Sequence, residues 1–205
     1  MLITHQHPHN KSMMVSVIGK PNAGKSTLIN TMLGQDLSIV SPLPQTTRNH
    51  FHCTMTIDRT EIVFVDTPGV HRSNKELNLR MNQEAEFSLE GADAALLLVD
   101  SNRINEEDFE VFKEVFHNNE FVGPVWLVFT KKDLSESKVQ SEQLTHFKEK
   151  LKKTIPSLQA KFFWISTVNE DNINELTAAL LDNAAPGAHL YPKGDISNKN
   201  IRFFV

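Results

Sequence analysis

The stretch Gly19-Lys20-Pro21-Asn22-Ala23-Gly24-Lys25-Ser26, with Thr27 behind it, has residue types and spacing suited to holding a polyphosphate. Two glycines let the backbone double back and aim successive N–H groups inward, and a helix starting behind the loop adds the positive end of its dipole. Lys25 sets a point charge against the outer phosphates, and the Ser26 hydroxyl is short enough to ligate a magnesium ion that bridges them. Asp66-Thr67-Pro68-Gly69 offers a carboxylate for the same ion, through a water, and a glycine N–H for the terminal phosphate. Without the preceding loop that tetrapeptide would say little. Thr130-Lys131-Lys132-Asp133 supplies a carboxylate that can accept from both the N1–H and the amino group of guanine, with a lysine stem lying along the base. Adenine lacks that donor pair. Ser166-Thr167 can present backbone N–H groups to the base oxygen, a signal that alone is hardly more than a loop.

These groups need a scaffold that brings them to one edge, and the apolar patterning supplies it. Met13 to Ile18 is a strand leading into the loop, and Ser26 to Leu33 is helix-prone. Ser41 to Arg48, broken by Pro42 and Pro44, suits neither helix nor central strand and reads as a mobile loop. Phe51 to Asp58 and Glu61 to Asp66 form a hairpin turning at Asp58-Arg59-Thr60, which leaves Asp66 at a strand's carboxyl end, where open α/β sheets place their ligands. Leu77, Met81 and Ala85 mark a helix over 77–89. Ala94 to Asp100 and Val125 to Phe129 are apolar throughout, as strands covered on both faces are. Phe109, Phe112 and Phe116 recur at helical spacing and read as core; Leu144, Phe147 and Leu151 mark the next helix. Lys161 to Ile165 is a last strand, and Ile173, Leu176, Leu180 and Leu181 mark a closing helix. This alternation predicts an α/β fold with a mostly parallel sheet, the hairpin adding one antiparallel edge strand.

Bulk properties agree with a single core and a tail in 205 residues, 40% hydrophobic and 22% charged. The longest apolar run, Ala94 to Val99, is far too short to cross a bilayer. The lone Cys53 fits a reducing compartment. His5, His7 and His9 lie in a polar leader, for which disorder is a simpler reading than a soft-metal site. With a net charge of −4, the one basic run, Lys148 to Lys153, reads as a solvated helix face, and charge announces no nucleic-acid partner.

Taken in order, Gly19 to Ser26, Thr46-Thr47, Asp66 to Gly69, Thr130 to Asp133 and Ser166 to Val168 resemble the TRAFAC-class translation-factor-like GTPases. Within them, Pro21-Asn22, Gln45-Thr46-Thr47-Arg48 and Asp66-Thr67-Pro68-Gly69-Val70-His71 are similar to the Era-type family of bacterial ribosome-assembly GTPases. Tyr191-Pro192-Lys193-Gly194-Asp195 and Arg202-Phe203-Phe204 resemble the linker that leads such proteins into a C-terminal RNA-binding KH domain. The resemblance implies a P-loop NTPase fold with a Ras-like G domain, a six-stranded sheet and helices on both faces. It divides the chain into a disordered leader at 1–12, a G domain at 13–184, and at 185–205 a linker with the start of a truncated KH domain.

It implies GTP and GDP as ligands, with magnesium held by Ser26, by Asp66 through water, and by Thr47, with Thr46 as the alternative. Nucleotide contacts extend by the same resemblance to Thr67, Pro68, Gly69 and Val70. Catalysis falls to Lys25, Thr47, Gly69 and Asn22, the last helping to hold a potassium ion. The implied role is a GTP-driven switch in small-subunit assembly and rRNA maturation, with small-subunit rRNA and the ribosomal subunit as partners, in a cytoplasmic monomer that contacts the membrane at most peripherally. Three positions depart from the pattern. Thr130 stands where asparagine is usual, which puts one buttressing hydrogen bond in question; Thr167 stands where alanine is common; and Val70 replaces a water-orienting glutamine of Ras-like proteins and cannot align water. Competing classes are a binding-only GTP/GDP regulator, a Der- or MnmE-type relative, and an ATP-using P-loop enzyme, against which Asp133 argues.

Overall fold

The computed structural model describes residues 7–34, 37–39, 51–66, 88–117, 120–134 and 140–191. Its strands are β1 (Lys11–Ile18), β2 (Leu37–Ile39), β3 (Phe51–Ile57), β4 (Thr60–Asp66), β5 (Ala94–Asp100), β6 (Val125–Thr130), β7 (Phe163–Trp164) and β8 (Ala185–Pro186). The helices are α1 (Lys25–Leu33), α2 (Glu106–His117), α3 (Gln140–Thr154) and α4 (Ile173–Asn183). Of the helix expected over 77–89, only the end at Ser88 and Leu89 falls within the described residues.

The sheet runs β2-β3-β4-β1-β5-β6-β7, and β8 pairs with the start of β1. Strands β4, β1, β5, β6 and β7 are parallel, while β2 and β3 are antiparallel additions on the β4 side. The six expected strands are all present. Two short ones, β2 and β8, bring the described sheet to eight, because a three-residue and a two-residue strand carry too little periodicity to be read in advance.

The continuous apolar runs split by parity, since successive side chains of a strand point to opposite faces. Leu96 and Leu98 of β5 join Val15, Val17, Val128 and the apolar stripes of α1 and α4 in one core; Leu28, Leu176 and Leu180 are its fully buried helical members. Ala95, Leu97 and Val99 face the other core with Leu127, Phe129, Phe112 and Leu151. Phe109 and Phe112 are core residues as expected, and Phe116, half-buried, meets Phe121 edge-on at 6.0 Å between ring centres. Part of the basic run on α3 lies on these aromatic faces: Lys148 sits 4.4 Å from the Phe162 ring centre and Lys150 lies 3.8 Å from that of Phe109, while also pairing with Glu106. Lys148 and Lys150, half-buried with their ammoniums on aromatic rings, thus depart from the solvated face expected of this run, whereas Glu149, Lys152 and Lys153 are exposed.

Opposite the edge where the parallel strands end, the chain leaving α4 is tied back to the sheet. Pro186 stands opposite Lys11, and the Gly187 N–H donates to the Asn10 carbonyl at 3.0 Å. Glu61, fully buried in β4, accepts from the backbone N–H groups of Leu190 (2.5 Å) and Tyr191 (3.3 Å). A buried carboxylate needs such donors, because its charge cannot be left unsolvated. Burial pushes the Glu61 carboxyl above its ordinary value of 4.5, and the Leu190 amide, His189 and the Tyr191 amide offset this only in part. A folded-state value above the unfolded one gives a contribution to stability that is fully present below the unfolded value and is lost as pH rises through the folded value. Urea unfolding is therefore expected to show the wild type gaining on Glu61→Gln as pH falls from neutral towards 4.5. A difference independent of pH would contradict this origin.

Candidate functional site

Strands β1, β4, β5, β6 and β7 end on one edge, and the sheet extends to either side of β1 there, the position at which open α/β sheets form a ligand crevice. At the tip of β1 the chain turns hard against its neighbour. A Cβ at Gly19 would lie 2.6 Å from the Leu98 carbonyl oxygen, so only glycine passes. The turn continues through Asn22 (φ 65°) and Gly24 (φ 92°), both left-handed, and closes with Ala23 N–H donating to the Lys20 carbonyl at 3.2 Å. Gly24 caps α1 without a side-chain bond, and the first intrahelical bond runs from Leu28 N–H to Gly24. The backbone amides at 25–27 thus precede the helical ladder at the positive end of its dipole.

Lys25 is buried inside this loop, its ammonium donating to the carbonyls of Gly19 (2.6 Å) and Lys20 (3.1 Å). Ser26 and Thr27 are exposed. The Lys20 side chain turns away from the loop: its Nζ lies 2.7 Å from Asn105 Oδ1, 3.3 Å from Glu107 and 3.4 Å from Asp108. Asn105 and Asp108 exchange reciprocal bonds at the start of α2, from Asn105 N–H to Asp108 (3.0 Å) and from Asp108 N–H to Asn105 (3.3 Å), which forms a capping box. Burial raises the Asp108 carboxyl above its ordinary value, partly offset by the Asn105 amide and the Lys20 ammonium. Lys20 therefore contributes its carbonyl to the loop and its charge to the helix that flanks it. The spacing of Asn105 and Asp108 before Phe109 and Phe112 was a readable cap signal, but its link to Lys20 was not.

Asp66 ends β4 opposite Val17, two residues before Gly19. It stands at the carboxyl end of the strand beside the one that leads into the loop. Thr46, Thr47, Thr67, Pro68, Gly69 and Val70 lie outside the described residues.

Thr130 ends β6 opposite Asp100 and is buried. Its hydroxyl reaches the Ala23 carbonyl at 2.8 Å and the Val99 carbonyl at 3.3 Å. Thr130 thus makes a buttressing bond of its own, which joins the loop directly to the Thr130–Asp133 segment. Lys131 follows with φ 58°, its ammonium 2.8 Å from Asp100 Oδ2. Lys132 N–H donates to the Ile165 carbonyl at 3.0 Å, and its side chain pairs with Asp171 at 3.3 Å. Asp133 is exposed and accepts from the Ser166 hydroxyl at 2.5 Å. A carboxylate has capacity for further donors beyond that one. The Ser166 amide differs from expectation: it donates to the Asp171 carbonyl at 3.2 Å, so Ser166 serves Asp133 through its hydroxyl, and Thr167, half-buried, is left as the backbone contact of that pair. Among the described residues no group of three or more His, Cys, Asp or Glu side chains could hold a metal, and His7 of the leader lies against Arg59.

The sequence profile of the family described as "50S ribosome-binding GTPase" matches residues 14–131. The chain is 36% identical over 198 residues to the GTPase Era of Treponema denticola, covering 95% of this chain and 64% of that protein. It is also 36% identical over 199 residues to the GTPase Era of Ectopseudomonas mendocina, covering 97% and 64%. Among solved structures, it is similar to Era in complex with MgGDPNP and nucleotides 1506–1542 of 16S ribosomal RNA, with a TM-score of 0.67 and 31% identity over 95% of this chain and 64% of that one. A variant of Aquifex aeolicus Era bound to GDP and aluminium fluoride gives a TM-score of 0.66 and 31% identity, covering 94% and 63%. The chain thus spans about 64% of the length of these curated relatives.

Replacing Thr130 by valine keeps its shape and removes the donor shared by two buried carbonyls. Loss of such a hydroxyl is expected to cost about 1–3 kcal/mol, read as a lowered urea midpoint. A midpoint equal to that of the wild type would show that the hydroxyl braces nothing.

Proposed function

Since the chain belongs to the family of 50S ribosome-binding GTPases, which its residues 14–131 match, we propose that it binds GTP with magnesium and hydrolyses it to GDP and phosphate as a conformational switch. One observation carries this reading: the 2.8 Å bond from Thr130 to Ala23 holds the loop suited to phosphates and the segment suited to guanine as one unit at a single sheet edge. A nucleotide is the ligand with both ends.

In this reading Lys25 exchanges the carbonyls of Gly19 and Lys20 for the outer phosphate oxygens, while the amides at the start of α1 hold the phosphates behind. The hydroxyl of Ser26, in the first turn of α1, and the carboxylate of Asp66, at the end of β4, are hard oxygen donors that suit magnesium, with Thr47, or Thr46, as the further ligand from the loop. When bound, magnesium neutralises charge on the two outer phosphates and fixes their geometry. Asp133, held by Ser166, reads the guanine edge, and the backbone at Thr167 meets the base oxygen. Water attacks the terminal phosphate in line, so the protein's contribution is placement and charge neutralisation. Thr47, or Thr46, closes onto the metal when the terminal phosphate is present and lets go after hydrolysis, while Gly69 and the loop after it sense the same phosphate; Thr67, Pro68 and Val70 are further nucleotide contacts. Asn22, exposed in the left-handed turn, helps hold a potassium ion there.

For the whole protein we propose a role in small-subunit assembly and rRNA maturation, with residues 13–184 as the G domain and RNA binding through a KH unit reached along the linker from 185. Similarity to Era supports it, one of those structures having been solved with nucleotides of 16S ribosomal RNA. The same reading makes the protein a cytoplasmic monomer whose membrane contact is peripheral.

Competition binding is expected to favour GTP over ATP by orders of magnitude, and Asp133→Asn should transfer preference to xanthosine nucleotides, because an amide presents a donor where the carboxylate accepts. Single-turnover phosphate release should fall about a hundredfold or more in Lys25→Ala and should be faster in potassium than in sodium. Equal binding of ATP and GTP would overturn the guanine reading; tight GTP binding without phosphate release would leave a binding-only switch; and equal rates in the two salts would remove Asn22 from the mechanism.

A further inference from the structure

The backbone at Lys131 is left-handed (φ 58°), a conformation that a residue with a Cβ adopts only when its surroundings impose it. Those surroundings come from the tip of the neighbouring strand, β5. The Lys131 carbonyl accepts from the Ser101 hydroxyl (3.4 Å), the Asn102 side-chain amide (3.3 Å) and Leu134 N–H (3.0 Å). Asn102 is itself oriented by Asp100, whose Oδ1 accepts its backbone N–H at 3.0 Å and lies 3.4 Å from its side-chain amide. The other oxygen of Asp100 takes the Lys131 ammonium at 2.8 Å. One carboxylate therefore fixes both ends of the lysine, the backbone through Asn102 and the charge directly.

An exposed ion pair would be weak evidence of anything. This one is only partly exposed, 15% on the Asp100 side chain and 34% on that of Lys131. Burial alone would raise the Asp100 carboxyl, but the Lys131 ammonium and the Asn102 amides hold it below its ordinary value. The pair also sits between two fixed points: Thr130, bonded to the phosphate loop at Ala23, and Asp133, bonded to Ser166. A rigid stem at Lys131 is a wall for the face of a base read by Asp133, whereas a free lysine would have to be ordered on binding at an entropic cost.

We propose that Asp100 is a positioning residue for guanine recognition, clamping Lys131 through the charge pair and through Asn102 so that its stem and the Thr130–Asp133 turn are pre-set to receive the base. The inference rests on the guanine reading above. It gives Asp100 a part that the phosphate and guanine segments of the sequence do not include.

The test is titration of a fluorescent GDP analogue into wild type, Asp100→Asn, Lys131→Met and the double variant, with ADP as control and thermal unfolding of each protein without nucleotide. Asp100→Asn keeps an acceptor for Asn102 and removes the charge. Its GDP affinity is expected to fall about tenfold, through a faster off-rate, with the unfolding temperature little changed. In the Lys131→Met background the same substitution should have almost no effect, since the clamp has lost its object. If Asp100→Asn does not fold, Asn102→Ala provides the same reading through the carbonyl side. Unchanged GDP affinity in a folded Asp100→Asn protein, or an equal loss with and without Lys131, overturns the clamp. Failure of the wild type itself to prefer GDP to ADP would instead overturn the guanine reading, and the two failures are distinct.

Discussion

The structure depends on a close approach. The chain must reverse between β1 and α1 directly against β5, where the Leu98 carbonyl would lie 2.6 Å from any Cβ at Gly19. That approach turns the Lys20 carbonyl inward, encloses Lys25, and lets Thr130 of the next strand but one reach Ala23. If the loop stood farther from the sheet, its amides would face water and the bond to β6 would be lost. The packing of β1 and β5, in register from Val15 opposite Ala94 to Ile18 opposite Leu97, is therefore the condition for the site as well as for the core.

Charge at this edge is arranged in pairs that hold the loops from outside. Lys20 is drawn to the capping box of α2, Lys131 to Asp100, and Lys132 to Asp171. Each lysine leaves its backbone in the site and spends its charge on the neighbouring element. Lys25 alone of these four keeps its ammonium within the loop. This division lets one edge of the sheet carry several cations without crowding them against one another.

The opposite edge has a different task. Buried Glu61 takes the amides of Leu190 and Tyr191, and β8 lies along the start of β1, so the segment after α4 is bound to the strands whose other ends carry Asp66 and the phosphate loop. The two edges are thus joined by continuous strands, a rigid connection about seven residues long on β4.

Local chemistry determined much of this from the sequence alone. The glycines, Lys25 and Ser26 between an apolar strand and a helix specify a phosphate loop, because that spacing has few other uses, and the apolar runs at Ala94 and Val125 specify strands covered on both faces. Tertiary structure alone decided which side chains meet across strands. That Thr130 braces the loop at Ala23, that the Ser166 hydroxyl rather than its amide serves the site, and that Lys20 and Lys131 bond outward all depend on contacts between residues 31 to 107 positions apart. Glu61 shows the same limit: along β4 it reads as one polar residue in a strand, and its partners lie 129 and 130 residues away. Hydrophobic periodicity is a property of neighbours in the chain, whereas a hydrogen bond of 2.8 Å depends on how whole layers pack, and no pattern in the sequence encodes that registry.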